Sequence, residues 1–530
     1  ADTGPGNDYV ESSNMLGLGS ITTGTGDDMV VAGTMGAFGD SNEENGGRDS
    51  AASINTGAGD DTVTVGTMAN AVQWDDNVLD DDNADDHFVT KGTSIETGTG
   101  DDAVTMGIMQ EQASVDTGAN DDVVNFDTAT AGQSSTETFM LADNPDNKEV
   151  VAVNESVTDE ATVRDFTGAS IDTGTGNDVV NFIESLTTSP TGAITDEFVT
   201  STIVDAGGAS NVGTGEDRGG AHINMGTGTD VMNVSALDTV YVSDLATPED
   251  GSAADLAVID VEELIYGAET LNLTTMNEIT STESTDTGEA QTDDEAGNAT
   301  IFADIERFDT ALTTINMVAD EDTLLNTPEE FAEDYQAGTI GTFTLHNVRD
   351  QTLTLSAREA TGVTDGNLKD DTVADVKLDV DMLDAADFDT TFTLEIAGNT
   401  TGNAGADFDL DFQANATRSD QSLDTTSATD DDAGNIENVV FNITDDASHA
   451  FHMSGFGDAQ NSNDTTAATT SGTADTSLTV TGSAADETIV IDEIHAATIT
   501  ADIAADVRLT VDAANHYHIT TGSGDDEIDV

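Results

Sequence analysis

Apolar and polar residues alternate along short runs of this chain, and the runs keep ending at the same kind of turn. In "SITTGTGDDMVV" (20–31), Ile21 and Val30 are β-branched and stand in alternating runs, as in strands with one buried face. Between them Gly24 and Gly26 admit positive φ, so that a tight loop can turn its carbonyls inward, and Asp28 places a carboxylate where the loop returns to strand. The pattern predicts strand, corner, strand.

Aligned on itself, the chain repeats S-[I/V]-x-T-G-x-G-[D/N]-D-x-V. Copies lie at 20–30, 53–63, 94–104, 114–124 and 170–180, with variants at 222–232 and 518–528. A clipped copy opens at Thr3 and a degenerate one begins at Val480. Corner-to-corner spacings of 20 residues (Thr3 to Thr23, Thr97 to Thr117) suit one coil of two strands and two turns. Spacings of 41 (Thr56 to Thr97) and 40 (Thr481 to Thr521) suit two such coils with one degenerate corner, and those of 33, 56 and 52 imply insertions at the side of the stack. The expected fold is all-β, a β-roll or β-solenoid with loop insertions over 1–240, a β-rich middle region of further coils or a β-sandwich over 241–475, and further coils over 476–530.

Charge changes the picture. Asp and Glu number 106 against 12 Lys and Arg, a formal net charge of -94, and a compact state must offset that repulsion. Nucleic acid and anionic membranes are excluded as partners, because their recognition needs clustered basic residues. No apolar run approaches the ~20 residues of a membrane-spanning helix. With no Cys, neither disulfides nor thiolate metal sites can staple the fold.

A hard divalent cation takes about six to eight oxygens, mixing carboxylates with main-chain carbonyls, and a Gly-x-Gly-x-Asp corner offers both. One corner has too few ligands; the next coil's corner, stacked above, supplies the rest, so that cation binding and stacking are coupled. For a single copy, an aspartate that hydrogen-bonds backbone in an ordinary turn explains the same residues. Repetition across seven good copies favours the cation.

The corner resembles the calcium-binding β-roll repeat of RTX proteins, G-G-x-G-x-D-x-U-x, which "TGTGDDMVV" matches from its second position. The resemblance implies Ca2+ as cofactor, with Val30 as the inward strand residue. The metal-loop residues it implies are Gly24, Gly26, Asp27 and Asp28; Gly57, Gly59, Asp60 and Asp61; and Gly98, Gly100, Asp101 and Asp102. They continue with Gly118, Asp121 and Asp122; Gly174, Gly176, Asn177 and Asp178; and Gly226, Gly228 and Asp230. Gly4, Gly6 and Asp8 open the series, and Gly522, Gly524, Asp525 and Asp526 end it. Thr stands where most RTX repeats have their first glycine, and the nonapeptide does not recur every nine residues, which favours calcium on one edge only.

Elsewhere "VEELIYGAETLNL" (261–273), "IERFDTALTTINM" (305–317) and "IENVVFNITDD" (436–446) share a phrase that is similar to segments of RTX-containing bacterial surface-layer proteins. "TPEEFAEDY" (327–335) carries helix-start residues, Thr327 as cap and Pro328 behind it. No metalloprotease, nucleophile-elbow or phosphate-loop motif is present, and the His pairs at 449/452 and 516/518 fit routine strand positions. Eight N-x-S/T sequons, Asn272, Asn298 and Asn442 among them, match the Asn and Thr content.

These readings converge on a secreted, non-enzymatic structural protein that assembles with calcium into a surface layer or extracellular filament. Its partner is expected to be itself, head to tail, with calcium shared at the joint, and a cell-surface glycan is a further candidate. The rival readings are a calcium-stiffened adhesin that binds a glycan or ice, and an exported enzyme with an RTX tail.

Overall fold

Each repeat copy forms one corner of a coil, and like residues of successive coils stand over one another. In the computed structural model Ser20–Thr25 pairs in parallel with Ser53–Ala58, Ile21 against Ile54 and Gly24 against Gly57. After the corner, Met29–Gly36 pairs with Thr62–Met68, Val30 against Val63. The structure describes residues 1–16, 19–36, 51–68, 71–73, 89–109, 113–128, 170–183, 201–202, 222–236, 239–242, 265–278, 299–305, 308–323, 339–348, 351–358, 374–383, 391–396, 406–415, 438–444, 449–454, 477–483, 488–494, 496, 498–511 and 518–529. Among them there is no α-helix; the helix start at 327–335 lies outside the described residues.

Three parallel sheets result. A long sheet of fifteen strands runs from Tyr9–Leu16 to His518–Thr521. A seven-stranded N-terminal sheet runs from Ser20–Thr25 to Ile265–Tyr266, and a ten-stranded C-terminal sheet from Ser201–Thr202 to Glu527–Asp529. Early coils alternate between the N-terminal and long sheets, late coils between the long and C-terminal sheets. Between them the chain visits all three: Ser170–Asp172, Val179–Ile183, Ser201–Thr202 and then His222–Asn224. The middle region is thus further coils of one solenoid rather than a sandwich, since Ala268–Glu278 and Thr314–Thr323 add to the long sheet in the same parallel sense.

Two equal-looking spacings have different causes. Ser53–Ala58 pairs directly with Ser94–Thr99, so the 41-residue interval is one coil with an insertion, not two coils. An antiparallel pair, Ala71–Gln73 with Val89–Lys91, forms the stem of that insertion. The 40-residue interval does hold two coils, because Thr498–Asp502 lies between Ser477–Gly482 and His518–Thr521.

The core is a set of columns along the solenoid axis. Ile21, Ile54, Ile95 and Val115 form one, and Val30, Val63, Val104 and Val124 another, all buried as their alternation predicts. Met15, Met35, Met68 and Met109 stack in register and are buried. Phe126 meets Phe182 edge-on at 5.4 Å, and Phe441 stacks on Phe451 at 5.1 Å. Each buried side chain of this size stabilises the fold by about 1.5–3 kcal/mol relative to exposure, so every added coil extends one continuous core.

Candidate metal centre

The corners that lead from the N-terminal sheet into the long sheet stack as tightly as glycine allows. Gly57 has φ +104°, and a Cβ there would stand 2.0 Å from the Gly24 carbonyl oxygen below it. The same approach recurs up the column through Gly98, Gly118, Gly174 and Gly226, so the first glycine of each copy is required by its neighbour as well as by its own φ. Where "TGAND" replaces the second glycine, Asn120 takes its place at φ +93°, the one described non-glycine residue with positive φ.

The paired acids then divide between two rows that lean in opposite directions. In the inner row each backbone N–H donates to the Oδ1 of the following coil: Asp8 to Asp28 (2.7 Å), Asp28 to Asp61 (2.8 Å), Asp61 to Asp102 (2.8 Å) and Asp102 to Asp122 (2.9 Å). Asp122 continues to Asp178 (2.9 Å), and Asp178 to Asp230 (2.8 Å). The Asp230 N–H ends the row on Glu269 Oε2 at 2.6 Å. In the exposed outer row the N–H donates to the preceding coil: Asp60 to Asp27 (3.2 Å), Asp101 to Asp60 (3.0 Å), Asp121 to Asp101 (3.3 Å) and Asn177 to Asp121 (2.8 Å). The inner carboxylate of each pair therefore bonds the coil below and the outer carboxylate the coil above, each residue's own N–H reaching the other way. The backbone-bonding reading of the aspartates describes their Oδ1 atoms, but across coils rather than within a turn.

Their Oδ2 atoms remain. In Asp8, Asp28, Asp61, Asp102, Asp122, Asp178 and Asp230 this oxygen is buried without a hydrogen-bond partner. No Lys or Arg answers these carboxylates among the described residues, where the ion pair is Arg508 with Glu527 at 3.7 Å. Burial pushes the Asp102, Asp122 and Asp230 carboxyls up to about 6 from the ordinary 3.8. The backbone N–H bonds oppose the rise, joined by the Thr97 hydroxyl at Asp102 and the Thr117 hydroxyl at Asp122, and neighbouring acids add to it. Asp61 and Asp178 are raised for the same first reason.

The threonine before the first glycine of each copy has its own role. Thr23, Thr56, Thr97 and Thr117 are buried, and each hydroxyl donates to the main-chain carbonyl of the next coil's residue at that place: Thr56 (3.1 Å), Thr97 (3.3 Å), Thr117 (3.1 Å) and Thr173 (3.4 Å). Thr173 closes the series on the Met225 carbonyl at 3.2 Å. A glycine could not supply this bond.

The seven predicted corners from Gly4, Gly6 and Asp8 through Gly226, Gly228 and Asp230 thus stand in one column. The eighth does not join it. Gly522, Gly524, Asp525 and Asp526 follow a long-sheet strand and lead into the C-terminal sheet, which puts them on the opposite edge of the long sheet. There the Asp525 N–H donates to Asp506 Oδ1 (2.7 Å) and the Val507 N–H to Asp526 Oδ1 (3.2 Å), with Asp525 exposed. Corners of this motif therefore occur on both edges of the long sheet. The strand that precedes the motif decides the edge, and the motif itself carries no sign of it.

Two features escaped the sequence pattern. Glu269, in "YGAETLNL", is the acid that ends the inner row. A ladder of amides crosses the outer face of the long sheet: Asn181 Nδ2 donates to Asn125 Oδ1 (2.8 Å), Asn233 to Asn181 (2.6 Å), Asn272 to Asn233 (2.6 Å) and Asn316 to Asn272 (2.8 Å). The sequon residue Asn272 is thereby engaged at both ends of its amide. The recurring V-x-N-[FV] and [LI]-N-[LM] phrases mark these rungs in the sequence. Of the histidines, His518 is exposed in its strand, and His516 lies outside the described residues.

The donor set fits a hard cation in part. Each inner aspartate offers a buried, unpaired, anionic oxygen, and oxygen is what Ca2+ takes. Acidic side chains do not converge in groups of three among the described residues, so a cation here would need main-chain carbonyls and water for its remaining ligands. Compared with family models, curated proteins and solved structures, the chain matches none.

Proposed function

We propose that this protein is a calcium-clamped β-solenoid that serves as a structural element outside the cell, associating with copies of itself into a layer or filament. The observation that carries the reading is the inner column: seven stacked aspartates, each with one buried oxygen unpaired, in a chain of net charge -94. A column of like charges at successive rungs costs stability unless a cation or a proton occupies it. Calcium, held by the Oδ2 atoms from Asp28 to Asp230 with main-chain carbonyls, would supply charge neutralisation and a bond between rungs. The parallel stacking of one coil on the next gives such a clamp an axis along which to act, and a protein stiffened this way suits a structural role.

Titration of the chelated protein with calcium, followed by circular dichroism and particle sizing, tests the reading. The expected result is a gain in β-structure, then growth of the particles, both reversed by a chelator. Full β-structure in the chelated protein at pH 7, unchanged by millimolar calcium, would overturn it.

A further inference from the structure

The outer face of the long sheet carries an uncharged strip. Outward positions of its strands form two columns in register, one through Val179, Val231 and Thr270 and one through Asn181, Asn233 and Asn272. Over the nine consecutive strands from Met29–Gly36 to Thr352–Arg358, neither column contains a charged residue. One residue in five of the chain is Asp or Glu, so eighteen positions without one are a marked departure. The C-terminal sheet shows the contrast: in Ala374–Leu383 acids occupy positions 375, 379 and 381, around the buried Val376, Leu378 and Val380.

The amides of the strip are already paired along the ladder. Asn181, Asn233 and Asn272 each donate an Nδ2–H to the preceding rung and accept one from the following rung, at 2.6–2.8 Å, while Asn125, at the ladder's start, donates to Thr105 Oγ1 at 3.3 Å. Covering an amide whose hydrogen bonds are made within the ladder costs far less than covering one that water must serve. The column beside it is mostly Val and Thr, half-buried from Thr62 to Thr314 and exposed at its ends, Met29 and Thr352, the kind of surface that packs face to face against another sheet.

From these features we infer that this strip is the contact between laterally associated copies of the chain. A second copy is the occupant that the charge distribution selects: two molecules of net charge -94 repel over most of their surfaces, and within the strip, whose margin is the exposed row of Asp27, Asp60, Asp101 and Asp121, they can approach without setting carboxylate against carboxylate. Nine rungs about 4.8 Å apart and about 12 Å wide give roughly 450 Å2 per copy, so the pair buries about 900 Å2, near the lower limit of a specific interface. Such a contact is weak alone and is multiplied by repetition in a lattice. The inference rests on the proposed self-association and names its surface.

The test uses the full chain in calcium. Sedimentation velocity across 1–100 µM of the wild type is compared with the double variant Val179→Glu, Val231→Glu and with a control, Ser20→Glu, Thr22→Glu, that adds the same charge to the N-terminal sheet. Circular dichroism and the calcium-dependent melting temperature verify folding of each. Association weakened at least tenfold in the strip variant but not in the control is the expected result. Association that both variants share with the wild type overturns the strip while leaving self-assembly intact. A wild type that stays monomeric overturns self-assembly and the strip together, as does retention of the wild-type monomer on ice or crystalline polysaccharide, lost in the strip variant.

Discussion

Replacing Asp122 by Asn separates the two demands made on the inner column. The amide keeps an Oδ1 to accept the Asp102 N–H, which lies 2.9 Å away, and removes the charge from the buried, unpaired Oδ2 position. Burial raises the Asp122 carboxyl to about 6 from 3.8, so in the metal-free protein at pH 7 the ionised form carries a penalty of at most about 3 kcal/mol, which solvent screening reduces to about 1–2. Asp122→Asn should therefore stabilise the chelated protein at pH 7 by about 1 kcal/mol, an unpaired amide N–H at the Oδ2 place taking back part of the gain. In calcium the sign reverses, because an anionic ligand is lost. The same shift fixes the pH dependence. A folded-state value above the unfolded one means that the folded chain binds more protons between about pH 4 and 6, so stability is greatest below that window and is lost as pH rises through it. Chelated wild type should gain on going from pH 7 to 5, and the variant should gain less. Urea midpoints by circular dichroism, in chelator and in calcium at both pH values, read all four arms. A variant less stable than wild type in chelator at pH 7, with its calcium response intact, would refute the reasoning.

Four further outcomes follow from the stacked geometry. Gly57→Ala forces a Cβ to within 2.0 Å of the Gly24 carbonyl oxygen at φ +104°; it should cost several kcal/mol and loosen the first coils, read as lost amide protection around 21–30 in hydrogen exchange. Thr97→Val removes the hydroxyl that donates to the Thr117 carbonyl at 3.1 Å; a loss of about 1 kcal/mol in the urea midpoint is expected. Asn233→Ala interrupts the amide ladder at two bonds and should lower the urea midpoint by about 1–2 kcal/mol. Asp526→Asn, on the opposite edge from the column, should leave the calcium response of the N-terminal coils unaltered when followed by hydrogen exchange of the 94–124 segment.

The corner was legible because every copy solves the same local problem with the same residues. Positive φ and close stacking demand glycine, alternation demands Ile and Val, and these constraints act within a dozen residues of one another. The edge of the sheet to which a corner belongs was not legible, since "TGTGDD" at 23–28 and "TGSGDD" at 521–526 read alike while their flanking strands sit in different sheets. Coil length was equally opaque. The 41 residues from Thr56 to Thr97 and the 40 from Thr481 to Thr521 differ only in whether the intervening segment supplies a strand such as "TITAD" (498–502), a distinction that depends on pairing with neighbours rather than on composition. The Thr and Asn ladders were visible as abundance, and their order emerged only when register stacked like on like.

That stacking of like residues also explains how one register survives insertions of such different lengths. In a parallel sheet a slip of one residue moves every apolar side chain to the wrong face, and here it would also set Thr23 against the wrong carbonyl and detach Asp28 from the Asp8 N–H. Threonine, glycine, aspartate and asparagine columns each reject the slip for a separate chemical reason. Coils 20, 33, 41, 52 or 56 residues apart in sequence are consequently equivalent in space. The inner column is the costliest of the four to maintain, because it alone concentrates buried negative charge. If register were its only role, an Asn column like the one on the long sheet would serve without that cost; the proposed calcium clamp would give the carboxylates a use that asparagine lacks.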